Sequence, residues 1–170
     1  MQRRKAEKIL NGWLQRHRGL LISVARAFAQ SLHDQDDLFQ EIVFQVWNSV
    51  EGYRSEIAES TWIYRVAFYT AINWSRKEKT RKNRINAVAV QHAPELHESS
   101  ARDPRVEWLY ERISELDSVD RSLTLLLLEG FSYREMSETL GISESNVGVR
   151  INRVKKRLTQ QLAAEHANEL

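Results

Sequence analysis

Apolar residues return every three or four positions in five separate stretches of this chain, and that spacing is the strongest limit on its fold. The first set is Leu20, Leu21, Val24, Ala25 and Phe28. Leu38, Ile42, Val43, Val46, Trp47 and Val50 make a second, and Trp62, Ile63, Val66, Ala67, Ala71 and Trp74 a third. Val106, Leu109, Tyr110, Ile113 and Leu116 form a fourth, and Val119, Leu123, Leu126 and Leu127 a fifth. Such spacing keeps residues on one face of an α-helix, whereas a half-buried strand alternates. No alternating stretch of useful length is present. Six Gly and two Pro in 170 residues are also too few for an all-β fold with many tight turns. The predicted class is all-α.

The helical pattern breaks over residues 86–104, which hold both prolines and the triplet Glu98-Ser99-Ser100. A break of that length is longer than a compact domain usually tolerates. It predicts two small helical domains, residues 1–85 and 105–170, joined by a linker over 86–104. The absence of cysteine excludes a disulfide scaffold, a thiolate zinc site and a cysteine nucleophile. The basic start Met1-Gln2-Arg3-Arg4-Lys5 is followed by no continuous apolar run, so no signal peptide is expected. No stretch reaches the ~20 apolar residues that span a bilayer. A cytoplasmic protein without membrane insertion is expected.

The net charge of +2 conceals a segregation. Residues 1–34 carry +5, residues 35–61 −5, residues 62–86 +6, residues 87–146 −7 and residues 147–170 +3. Basic blocks suit phosphate, whose binding is driven by counterion release. Acidic blocks suit a basic protein surface or simply keep the chain in solution. Any one block alone reads as a solvated helix face.

Residues 132–158 carry the sharpest local pattern. Ser132-Tyr133-Arg134-Glu135 is a capping box, and a short helix with Met136 and Leu140 inward follows it. Gly141 supplies a turn, Ile142 plugs the angle between helices, and Ser143 caps the next helix. Val147, Ile151, Val154 and Leu158 give that helix one buried stripe. Its other face bears Ser145, Val149, Asn152, Arg153 and Lys156, flanked by Asn146, Arg150 and Arg157. Asn and Arg read base edges, Val meets a thymine methyl, and Lys and Arg hold phosphates. This is a helix-turn-helix with a recognition helix suited to a major groove.

In the first half, Asp36-Asp37-Leu38-Phe39-Gln40-Glu41 is expected to open a helix whose positive end its aspartates suit. No convergent histidine or metal-ligand spacing accompanies these carboxylates, so neither a catalytic nor a metal site is expected. The next helix places Trp62, Val66 and Ala67 toward the core, leaving Arg65, Phe68, Tyr69, Ile72, Arg76 and Lys79 on the other side. Rings for base stacking beside cations for phosphates suit single-stranded nucleic acid. The stretch Arg76 to Arg84 adds six positive charges. Packing against another helix explains Phe68 and Ile72 equally well.

With these elements in place, the chain resembles the bacterial extracytoplasmic-function (ECF) sigma factors. The likeness covers about residues 15–85 and 105–160. It rests on Asp37-Leu38-Phe39-Gln40-Glu41, on Tyr53-Arg54 leading to Thr61-Trp62-Ile63-Tyr64-Arg65-Val66-Ala67, and on the helix-turn-helix from Phe131 to Leu158. The resemblance implies a non-enzymatic initiation factor that binds core RNA polymerase and promoter DNA, with no cofactor or metal. It implies docking on the clamp of the largest subunit through Asp37, Gln40, Glu41 and Trp47. It implies recognition and melting of the −10 element by Arg54, Ser55, Trp62, Arg65, Tyr69, Asn73, Arg76, Lys77 and Lys79. The loop 54–61 would form a pocket for a flipped base. The −35 element would be read by Ser145, Asn146, Val149, Arg150, Asn152, Arg153 and Lys156, with this domain seated on the flap of the second-largest subunit. A monomer when free and an anti-sigma partner are also implied. Ser55, Glu59 and Tyr69 depart from the residues usual in the family, and all three surround the expected base pocket.

Two other readings compete. A conventional helix-turn-helix regulator would be a dimer bound to palindromic duplex. A nucleic-acid enzyme would use Asp36, Asp37 and Glu41 with a divalent metal.

Overall fold

Seven α-helices and one 3₁₀ turn make up the described residues, 2–86 and 103–168 of a computed structural model, and no strand occurs among them. The first half contains α1 (Gln2–Phe28), α2 (Leu32–Ser49), the 3₁₀ turn (Val50–Gly52) and α3 (Glu59–Asn86). The second contains α4 (Pro104–Ser114), α5 (Ser118–Leu128), α6 (Tyr133–Leu140) and α7 (Glu144–Asn168). Most of the expected linker, residues 87–102, lies outside the described residues. None of the described helices is long and apolar enough to cross a membrane.

Helix α2 begins earlier than expected. Ser31 caps it by accepting from the Asp34 backbone N–H at 3.0 Å, with Asp34 in the first turn. Asp36 and Asp37 therefore lie a turn further in, where the attraction of the helix end has faded. Helix α3 also begins earlier than expected. Glu59 to Thr61 already belong to it, so the loop shrinks to Tyr53–Ala58.

Helices α1, α2 and α3 bury Trp13, Leu21, Leu38, Ile42, Ile63 and Phe68 among themselves. Phe68 is 1% exposed, so it is a core residue and not part of an open aromatic face. Trp62 and Val66, expected inward, are only half-buried. The buried stripe of α3 keeps Ile63, Ala67 and Ala71 of the expected set and adds Phe68. The second half packs Ile113, Leu123, Leu126, Met136, Val147 and Ile151.

The apolar cluster continues across both halves. Arg26 of α1 bonds Glu107 of α4 at 2.6 Å and lies 3.9 Å over the Tyr110 ring. Arg121 of α5 lies 4.7 Å over the Phe28 ring while its Nη2 donates to the Ser114 and Leu116 carbonyls. Burial lowers the pKa of Arg121 from its usual value, with the Asp117 carboxylate acting the other way.

Candidate nucleic-acid interface

The basic half of α3 faces α2 across an open groove of about 610 Å³. Trp62, Arg65, Tyr69, Asn73 and Lys77 line it, joined by Glu41, Gln45 and Trp74. Their spacing of three and four residues puts the five on one stripe. Tyr69 is 55% exposed, so its ring is open for stacking. Trp62 is more constrained: its Nε1 donates to Ser49 Oγ at 3.0 Å, and its ring lies 5.9 Å from Tyr53. Arg65 donates to the backbone carbonyl of Glu138 in α6, so this cation is engaged by the second half.

The remaining −10 candidates lie elsewhere. Ser55 borders a different cavity, with Trp13, Arg16, Tyr53 and Glu59. Arg76 borders a cleft shared with Ser118, Val119 and Leu140, and Lys79 one shared with Phe28 and Arg121. Arg54, Lys77 and Lys79 are exposed.

Glu59 anchors the start of α3. Its carboxylate accepts from Arg16 Nε and Nη2 at 2.9 Å each. His17 Nε2 lies 3.0 Å from it, and His17 Nδ1 lies 2.8 Å from the Tyr64 hydroxyl. In the neutral ring the carboxylate fixes the proton on Nε2, so Nδ1 accepts from Tyr64. Burial raises the Glu59 pKa, but the hydrogen bonds from His17 and Arg16 outweigh it and hold the carboxyl below its usual value. Burial, with help from the Glu129 carboxylate, pushes Tyr64 up to about 12 and keeps it protonated.

Of the docking candidates on α2, Glu41 lines the groove, whereas Asp37, Gln40 and Trp47 are not part of its lining. Asp37 and Gln40 are exposed, whereas Glu41 and Trp47 are half-buried. Asp37 lies 3.4 Å from His33, and Glu41 accepts from Gln45 at 2.8 Å. Phe44 adds an apolar ring that is 56% exposed beside these acids. The apolar spacing of α2 could have singled it out, because it falls off the buried stripe of Leu38, Ile42 and Val46. Among the described residues no three His, Asp or Glu are grouped to hold a metal.

The helix-turn-helix forms as its local chemistry dictates. Ser132 Oγ accepts from the Glu135 backbone N–H, and Glu135 accepts from the Ser132 N–H. Gly141 adopts φ +68, the left-handed conformation that ends α6. Ser143 Oγ accepts from the Asn146 N–H at the start of α7. Ser145, Asn146, Val149, Asn152, Arg153 and Lys156 are all exposed, and Val149 is 64% so. Arg150 is turned inward to Asp120, Asp117 and Asn146. The bond to the Asp120 carboxylate raises its pKa further. Sequence reasoning missed Asp120, a carboxylate in the polar first turn of α5 that no local pattern sets apart.

The Sigma-70 region 2 family matches residues 13–81, and the Sigma-70, region 4 family matches residues 107–158. The first span holds the α2–α3 groove, and the second holds most of the recognition helix. The chain is 25% identical over 135 residues to the ECF RNA polymerase sigma factor SigX of Bacillus subtilis, covering 75% of this chain and 70% of that one. It is 26% identical over 145 residues to the RNA polymerase sigma factor YlaC of the same organism, covering 81% and 83%. The sigma factor RpoE, solved in complex with the anti-sigma factor NepR from Bartonella quintana, shares the fold with a TM-score of 0.73 at 15% identity. That match covers 92% of this chain and 98% of the other. Both regional families, in order on two helical halves, place the chain in the sigma-70 family, among its ECF members.

Proposed function

We propose that this sigma factor divides promoter-directed initiation among three faces. The acidic surface of α2, with Asp37, Gln40, Glu41 and Trp47, docks on the clamp of core RNA polymerase. The α2–α3 groove takes the melted −10 strand. The exposed side of α7 reads the −35 element while its domain rests on the polymerase flap. The observation that carries this reading is the convergence of Trp62, Arg65, Tyr69, Asn73 and Lys77 on one groove. Rings there stack unpaired bases and cations hold the phosphates between them. Binding energy drives strand separation, and no hydrolysis step is required. Arg54, Ser55, Arg76 and Lys79 then track the strand outside the groove.

The residue set and the domain boundaries 1–85 and 105–170 belong to this proposal. So do a cytoplasmic site of action, a monomeric free state and an anti-sigma partner, the last supported by the likeness to a sigma factor solved with one.

Co-elution of the full chain with bacterial core RNA polymerase on a sizing column tests the reading, with Glu41→Lys as control. Co-elution that the charge reversal weakens at least tenfold is expected. A chain that ignores core polymerase and elutes as a dimer would favour a conventional helix-turn-helix regulator instead.

A further inference from the structure

Asp120 lies in the first turn of α5 with its side chain 7% exposed. Its Oδ1 accepts from Arg150 Nη1 at 2.7 Å and its Oδ2 from Arg153 Nη2 at 2.7 Å. A carboxylate so far from water persists only when it is well paired, and two guanidinium groups meet that need. The two arginines fare differently. Arg150 also meets Asp117 at 3.5 Å and Asn146 at 3.2 Å, and its side chain is 26% exposed. Its Nε and Nη1 donate inside the protein. Arg153 remains 60% exposed, with one arm of its fork on Asp120 and the rest turned outward.

We propose that Asp120 is a positioning residue for −35 readout, holding Arg153 of α7 in its DNA-facing orientation with Arg150 as an internal strut. The inference rests on the reading of α7 as the −35 helix. A pinned guanidinium has given up rotamer freedom before DNA arrives, so less is lost on binding. The same carboxylate ties two positions three residues apart to α5, which fixes the rotation of α7 about its axis. Asn146, Val149 and Asn152 then face outward together.

The test uses the full chain assembled with core RNA polymerase and a pool of random duplex DNA, followed by sequencing of the bound fraction. Asp120→Asn is compared with wild type, with Arg153→Ala and with the two combined. Asp120→Leu with Arg150→Met replaces the buried ions by apolar groups of similar volume and preserves packing if the polar variant does not fold. The expected result is a three- to tenfold (roughly) loss of −35 enrichment with the −10 motif unchanged. In the Arg153→Ala background Asp120→Asn should cost little more, because Asp120 acts through Arg153. Wild-type −35 enrichment in a folded variant overturns the inference. So does an equal fall of both motifs, or an undiminished loss from Asp120→Asn in the Arg153→Ala background. A wild-type chain that enriches no −35 motif overturns the underlying reading of α7 as well.

Discussion

Tyr64 of α3 and Phe131 of the α5–α6 turn meet edge to face, their ring centroids 5.3 Å apart. With Arg26–Glu107 and Arg121–Phe28, they close the two halves on each other. Promoter elements roughly 25 positions apart lie on the order of 80 Å apart along the duplex. Under the proposed division of α3 and α7 between these two elements, the closed pair separates on the promoter. Arg26→Ala removes an ion pair and a ring contact from this interface. Its radius of gyration in small-angle scattering should exceed the compact value of about 15 Å for this length. An unchanged radius would show that the remaining contacts, Arg65 to the Glu138 carbonyl among them, suffice to hold the halves together.

Phe68 is packed like any core ring. Phe68→Ala should cost about 3–5 kcal/mol in denaturant unfolding of the full chain. Tyr69→Ala, one position along on the exposed side, should change stability by no more than about 0.5 kcal/mol. It should instead weaken promoter opening, read by permanganate footprinting. The opposite ranking would return Phe68 to the nucleic-acid face.

Glu59 has a folded-state pKa below its usual value, so it binds its proton less readily when folded. Its stabilising contribution is therefore present above the unfolded value near 4.5 and is lost as pH falls through the lower folded value. The stability gap between wild type and Glu59→Gln should be widest near neutral pH. It should close as pH drops below the unfolded value near 4.5 in parallel urea titrations. A gap that stays constant would mean that the Arg16 and His17 contacts carry no net charge effect.

Gly141 ends α6 at φ +68 with open space where a Cβ would sit. Strain, not collision, is thus the cost of a side chain there. Gly141→Ala should destabilise the chain by about 1 kcal/mol, and Gly141→Asn by less. Thermal unfolding followed by circular dichroism reads both.

Local chemistry made the second half legible. The capping box, Gly141 and Ser143 act within a few residues of themselves, so the helix-turn-helix could be read along the chain. The cap of α2 is equally local, but the denser acids after Ser31 and Asp34 mask it in the sequence. Phe68 was not legible, because one helix cannot show how many neighbours it has. The groove residues shared a stripe in the sequence, yet Ser55 did not join them. The start of α3 is tied instead to Arg16, 43 positions away. Asp120 reaches Arg150 and Arg153 over 30 and 33 positions, a relation no periodicity encodes.

Separating the halves would uncover Phe28, Tyr64, Tyr110 and Phe131 together. Four aromatic side chains freed at once form an adhesive surface that a lone molecule cannot hide. A chain opened without polymerase is then the species most open to self-association and to proteases, which act on opened forms. The closed arrangement keeps these four rings packed within one apolar cluster.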